Sequence, residues 1–508
     1  MNANLYTLLE TGFPADRDSC CIETSDGRFY SWRDLERASA KMANLLSSLD
    51  LAPNSRIAAQ VDKSPEALFL YLATLRAGYI YLPLNTAYQE AEVAYFIGDA
   101  EPAVVVCTPR NFGWVAQIAF KAGTQHVFTL GQHGHDKTIG SLLTRATPQP
   151  DHYQTVNREP QDLAAILYTS GTTGRSKGAM LSHANLASNA LVLQQAWHWQ
   201  AGDVLLHALP IFHIHGLFVA VHGALLNGSK MIFLTRFDAA EVIRHLPRAS
   251  VFMGVPTYYV RLLAESSFNR TVCARMRLFI SGSAPLATET FNQFTERCGH
   301  TILERYGMSE TAMLTSNPYQ GARMAGTVGL PLDGVSVRVV QDDAACSTCA
   351  VGQAGAVQVK GPNVFQGYWR MPEKTAEEFT ADGYFKTGDI GAWNEQGYLS
   401  IVGRGKDLII SGGYNIYPKE IELLIDALPG VLESAVIGIP DADYGEAVAA
   451  IVIARAGAKL NPAAIIDTLK SQVAHFKVPK QVFLQDELPR NAMGKVQKNL
   501  LRARYKPA

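Results

Sequence analysis

Short apolar runs rich in valine and isoleucine recur along this chain, each bounded by turn residues. They lie at residues 103–107, 163–168, 230–234, 277–280 and 335–340. Runs this short and this continuous read as strands buried on both faces, the kind found in parallel sheets. Between them lie helical patterns. Residues 64–76 form one, with Ser64 placed to cap it and Glu66 close behind. Residues 239–246 form another. Strand–helix alternation over the first ~330 residues predicts parallel α/β architecture. From Asp333 the pattern changes to short strands and glycine turns, a small β-rich unit that runs to about Gly403. Beyond Gly403-Arg404-Gly405-Lys406-Asp407, a glycine-flanked charged segment that reads as a hinge, lies an α+β unit of about 100 residues. The expected division is 1–403, a hinge at 404–410, and 411–508.

Charge sharpens that division. The 508 residues carry 45 basic and 46 acidic side chains, a net charge of −1. Residues 471–508 alone hold eight basic and two acidic side chains. The neutral total is therefore an acidic body cancelled by a basic tail. Overall neutrality removes the usual electrostatic argument for nucleic acid or an anionic membrane. Residues 204–229 lack Asp, Glu, Lys and Arg but contain four histidines and Pro210. That reads as a buried segment near a site, not a membrane span. Seven cysteines are too few for a disulfide scaffold, and the single C-x-x-C at Cys346/Cys349 has no second pair. The opening segment, MNANLYTLLETGFPADRD, lacks the pattern of a secretory or transit peptide, so a cytoplasmic location is expected.

The strongest chemical signal follows the run at 163–168: Thr169-Ser170-Gly171-Thr172-Thr173-Gly174-Arg175-Ser176-Lys177-Gly178. Glycines let a backbone approach phosphate, hydroxyls and N–H groups donate to its oxygens, and Lys177 neutralises charge. The spacing is not that of a Walker A loop.

With its neighbours, this stretch resembles the adenylate-forming enzymes, the superfamily of acyl-CoA synthetases, peptide-synthetase adenylation domains and firefly luciferase. Eight motifs occur in the family's order across about 330 residues. They are YTSGTTGRSKG (168–178), LPIFHIHG (209–216), SGSAP (281–285), YGMSE (306–310), GPNVFQGYW (361–369), TGD (387–389), GRGKDLIISGGYNIYPKEIE (403–422) and PRNAMGK (489–495). The resemblance implies two parallel-type α/β subdomains plus a small β-barrel-like unit, and a small mobile C-terminal α+β domain. It implies ATP, Mg²⁺ and CoA as ligands. Glu310, with Thr169, would hold Mg²⁺. Thr169 to Gly174, Ser283, Ala284, Pro285, Glu304, Arg305, Tyr306, Gly307, Ser309, Asp389 and Arg404 would bind the nucleotide, Tyr306 stacking on adenine and Asp389 taking the ribose hydroxyls. Lys177, Glu310 and Lys495 would be catalytic. In a second step Lys406 would act as hinge, Lys495 would leave, and His213 with Gly412, Gly413 and Tyr414 would flank the pantetheine arm. No carrier-protein signature follows, so free CoA is the expected thiol.

For the acid, Arg305 beside Tyr306 stands out, because a buried guanidinium needs an anion. A second substrate carboxylate or a structural acid would serve. Ser283, His207 and Arg236 are further candidates, with a core role for His207 and a surface role for Arg236 left open. Several stretches are similar to bacterial malonyl-CoA synthetases, which use malonate and often methylmalonate. Malonate–CoA ligation through malonyl-adenylate is the expectation. Ligation of another short acid and a non-catalytic nucleotide-binding role are the alternatives. Small molecules are the expected partners of a monomer or homodimer, with lysine acetyltransferase and deacetylase acting on Lys495 as a regulatory reading.

Overall fold

A computed structural model describes residues 2–131, 140–169, 176–341, 346–411, 414–441, 445–470, 472–473, 475–491 and 494–505. The valine-rich runs form two large sheets. In the first, Arg56–Gln60, Ile80–Pro83, Val104–Cys107, His126–Thr129 and Leu163–Thr169 run parallel, and Lys177–Ser182 closes one edge antiparallel. In the second, Leu303–Met308, Leu278–Ser281, Val251–Gly254, Val204–His207, Lys230–Phe233 and Cys20–Thr24 lie side by side and parallel. The helix Pro65–Arg76 is buried along its whole length. Its ends follow local rules. Ser64 accepts from the Ala67 N–H, Pro65 occupies the first turn, and Arg76 sits in the last.

The β-rich unit is a four-stranded antiparallel meander, Ser336–Val340, Gly355–Lys360, Phe385–Trp393 and Leu399–Arg404. Paired bonds between Leu399 and the Val328–Gly329 backbone tie it to the edge of the second sheet. Past it, Val431–Asp441 and Gly445–Ala454 form a long hairpin joined by Gln481–Gln485 and packed by Pro418–Asp426, Pro462–Lys470 and Lys498–Arg504. Its buried clusters begin at Ile409 and share no residue with those of the preceding chain. All seven thiols are unbridged. Among the described residues, no helix is long and apolar enough to cross a membrane.

Candidate active site

Candidate residues gather at the C-terminal ends of the parallel strands, where open α/β sheets bind ligands. On either side of the phosphate-loop segment, Leu163–Thr169 pairs antiparallel with Lys177–Ser182, and Thr169 stands opposite Lys177. Both ends of the loop are thereby fixed. Ser170, Gly171, Thr172, Thr173 and Gly174 lie outside the described residues. The Lys177 ammonium sits 4.1 Å from the Tyr368 ring centroid and 3.6 Å from Glu378 Oε1.

Glu310 lies in the tight turn between Leu303–Met308 and Ala312–Ser316. Only glycine fits at 307, because a Cβ there would strike the Ala312 carbonyl. Ala312 takes the left-handed conformation at φ 49°. The Glu310 carboxyl is buried, and burial pushes its pKa up. The Tyr368 hydroxyl, which donates to Oε1 at 3.0 Å, opposes that push, as do Arg404 and Lys177. Ser309 is half-buried in the same turn. On the meander side, Asp389 is buried and its Oδ1 pairs with Arg404 Nε at 2.9 Å. The Tyr306 hydroxyl donates to Asp389 Oδ2. Asp389 raises the Arg404 pKa. Lys177, Tyr306, Glu310, Asp389 and Arg404, expected from separate motifs, thus form one electrostatic cluster.

A second cluster adjoins the first. Ser283, in the SGSAP turn with φ 71°, contacts His215 Nδ1 through Oγ at 3.3 Å. Ala284 is half-buried and Pro285 exposed. Arg305 is buried, and a Cβ on Gly282 would run into its guanidinium. Its Nε and Nη2 have no hydrogen-bond partner among the described residues, nor has His215 Nε2. Burial lowers the Arg305 pKa to about 9 and, with Arg305 as second cause, lowers His213 to about 4. His213 Nδ1 accepts from the His215 N–H at 3.3 Å. No acid among the described residues forms an ion pair with Arg305, although Glu304 interacts with it electrostatically. Glu304 alternates to the opposite strand face, and its burial raises its pKa to about 8.

Three further candidates have contacts or exposure that narrow their roles. Glu304 Oε1 accepts from the Leu286 N–H at 3.0 Å, so this oxygen braces the chain just after the SGSAP turn, while Oε2 is buried with no hydrogen-bond partner among the described residues. His207 has both ring nitrogens engaged. Lys63 Nζ lies 2.6 Å from Nδ1, and Nε2 lies 2.9 Å from the Gly216 carbonyl. It serves the fold and braces the end of LPIFHIHG, leaving no nitrogen for an acid. Arg236 is exposed past the end of Lys230–Phe233. Sequence reasoning overlooked Tyr368, although it lies inside the quoted 361–369 motif. It also overlooked Lys63, which only the fold brings to His207.

Lys495 sits in a small hairpin closed by an Arg490–Val496 bridge. Asn491 Oδ1 accepts from the Lys495 N–H at 2.9 Å, and Arg490 Nη1 donates to the Gly494 carbonyl at 2.6 Å. Gly494 is left-handed at φ 74°, and a Cβ there would lie 3.2 Å from Thr257 Oγ1. Thr257 opens the helix Pro256–Ala264 beyond Val251–Gly254, so the lysine hairpin rests on the strand ends that carry the site. Gly412 and Gly413 lie outside the described residues, as do the side chains of Lys406 and Tyr414.

Comparison with known proteins agrees with this geometry. The AMP-binding enzyme model matches residues 11–369, and the AMP-binding enzyme C-terminal domain model matches 420–495. The malonate–CoA ligase of Arabidopsis thaliana is 34% identical, over 99% of this chain and 89% of its own. The mitochondrial malonate–CoA ligase ACSF3 of Mus musculus is 34% identical, over 85% and 79%. Crystal structures of MatB from Rhodopseudomonas palustris, 52% identical over 100% of this chain and 99% of theirs, superpose with TM-scores of 0.96 when ATP-bound and 0.86 when apo. The matched models, the shared fold and the converging nucleotide cluster lead to one conclusion: the chain belongs to the AMP-binding enzyme family.

Proposed function

We propose that the protein is an AMP-forming malonate–CoA ligase, converting malonate, ATP and CoA to malonyl-CoA, AMP and diphosphate through malonyl-adenylate. One observation carries the choice of acid: the buried Arg305 guanidinium with two unpartnered nitrogens beside the SGSAP turn. A monocarboxylate spends its only carboxyl on ATP. Malonate brings a second one, which accepts from Arg305 in a charge-assisted contact. The naming of relatives as malonate–CoA ligases supports the same choice.

In this reading Asp389 and Tyr306 orient the nucleoside, and Lys177 and Lys495 offset charge as one anion approaches another. The donor chemistry fits Mg²⁺. Glu310 is a buried carboxylate beside phosphate-binding groups, Thr169 adds a hydroxyl, and no cluster among the described residues holds a metal by itself. Such a site takes the ion together with phosphate oxygens. When bound, Mg²⁺ neutralises phosphate charge. The C-terminal unit would pivot at 404–410, withdrawing Lys495 before CoA attacks. Acylation of Lys495 would remove its charge and stop adenylation. A cytoplasmic enzyme acting on soluble substrates fits this chemistry.

The test is AMP release by purified protein with ATP, Mg²⁺, CoA and a panel of two- to four-carbon acids. Malonate is expected to be used best. Efficient use of acetate or butyrate with none of malonate would overturn the assignment.

A further inference from the structure

Tyr368 touches both charged halves of the phosphate site. Its hydroxyl donates to Glu310 Oε1 at 3.0 Å, and its ring lies 4.1 Å from the Lys177 ammonium. The residue is itself buried and held from several sides. Its N–H donates to Thr375 Oγ1 at 2.9 Å, it bridges Ala179 on the strand that carries Lys177, and its ring packs edge-on against Phe365. A side chain this constrained sets where its two neighbours stand.

We propose that Tyr368 is a positioning residue with two separable parts: its hydroxyl orients Glu310 toward a divalent cation, and its ring holds Lys177 for the phosphates. This rests on the reading that Glu310 holds the metal. Chemistry favours the division. A carboxylate with one oxygen fixed by a hydroxyl presents the other in a defined direction, and outer partners of this kind set metal affinity. The aromatic face attracts an ammonium but places it less strictly than a carboxylate would, so Lys177 keeps its charge available to an incoming anion. Glu378 Oε1, the other partner of Lys177, lies at 3.6 Å, beyond direct hydrogen-bond reach.

Two variants separate the parts. Tyr368→Phe keeps the ring and loses the hydroxyl, whereas Tyr368→Leu loses both. The readouts are Mn²⁺ binding to the enzyme with a non-hydrolysable ATP analogue, followed by the electron paramagnetic resonance of free Mn²⁺, and affinity for the analogue in EDTA. Tyr368→Phe is expected to weaken Mn²⁺ binding roughly 10- to 100-fold with little change in metal-free nucleotide affinity. Tyr368→Leu is expected to weaken both. Wild-type Mn²⁺ affinity in Tyr368→Phe overturns the proposal, and that variant decides the matter even if Tyr368→Leu fails to fold. Glu310→Gln is the control. If it leaves Mn²⁺ binding unchanged, the metal assignment itself is wrong. If it weakens binding while Tyr368→Phe does not, only the role of Tyr368 falls.

Discussion

Replacing Arg305 with methionine tests the acid pocket most sharply, because function and stability should move in opposite directions. Burial drags the Arg305 pKa from the usual arginine range down to about 9. At about 1.4 kcal/mol per decade, keeping this charge inside the fold costs on the order of 5 kcal/mol. The guanidinium makes no ion pair among the described residues, Glu304 adding only a weaker charge interaction, and Gly282 leaves it lying against bare backbone. A substrate carboxylate recovers part of that cost. Loss of such a buried charged contact is worth about 2–5 kcal/mol, or roughly 30-fold to several-thousand-fold in kcat/KM for malonate. The KM for ATP should hardly move, because the Tyr306–Asp389–Arg404 cluster is untouched. Methionine has similar length and no charge to desolvate, so the urea midpoint should hold or rise. In the wild type, the guanidinium is charged below about 9, so malonate use should fall as pH rises through that value. The assay is initial-rate AMP release at varied malonate with ATP and CoA saturating, paired with urea unfolding. An unchanged malonate kcat/KM, or an equal loss for ATP, would refute the reasoning. A sharply lowered midpoint would reveal a structural partner for Arg305.

Other expectations follow from the same geometry. Gly282→Ala would press a methyl on the Arg305 guanidinium, so it should lower malonate kcat/KM while fluorescent-nucleotide titration shows ATP binding retained. Lys495→Ala should abolish adenylate formation, measured by pyrophosphate exchange, yet still transfer the acyl group from preformed malonyl-adenylate to CoA. Burial raises the folded-state pKa of Glu304 from the ordinary 4.5 to about 8. Its contribution to stability is therefore fully present below 4.5 and is lost as pH rises through 8. Glu304→Gln, which keeps an acceptor for the Leu286 N–H, should flatten the stability profile between pH 5 and 8, and an unchanged profile in urea titrations would contradict this.

Much of this was legible in the sequence where the signal is local. The buried strands at 103–107 and 163–168 and the cap at Ser64 follow from periodicity and end residues, which neighbours in the chain decide. The order of motifs pointed to Lys177, Tyr306, Glu310, Asp389 and Arg404, and the fold brings them together. What stayed hidden depends on contacts across long sequence separations. Lys63 and His207 are 144 residues apart, and no spacing rule couples them. His207 stood open between a pocket role and a core role, and the engagement of both its nitrogens decides for the core. Glu304 and Arg305 stand next to each other just before YGMSE and were both expected at the nucleotide, yet strand alternation sends one to brace a turn and leaves the other beside the histidines. The antiparallel pairing on either side of the phosphate loop was missed because Lys177–Ser182 opens with the same loop chemistry that precedes it.

The hairpin that presents Lys495 draws its fixing contacts from nearby. Asn491 and Arg490 bond its backbone, and Glu433 of the adjoining strand holds Arg490. The acid-reading groups all come from the first ~310 residues. If the chain divides at 404–410, the two halves would be separable parts that meet where Gly494 faces Thr257. A C-terminal segment grafted from a relative would bring a complete, correctly shaped lysine with it and leave the choice of acid where it was. Shuffling enzymes of this kind at the hinge should recombine catalytic vigour and acid preference as independent traits.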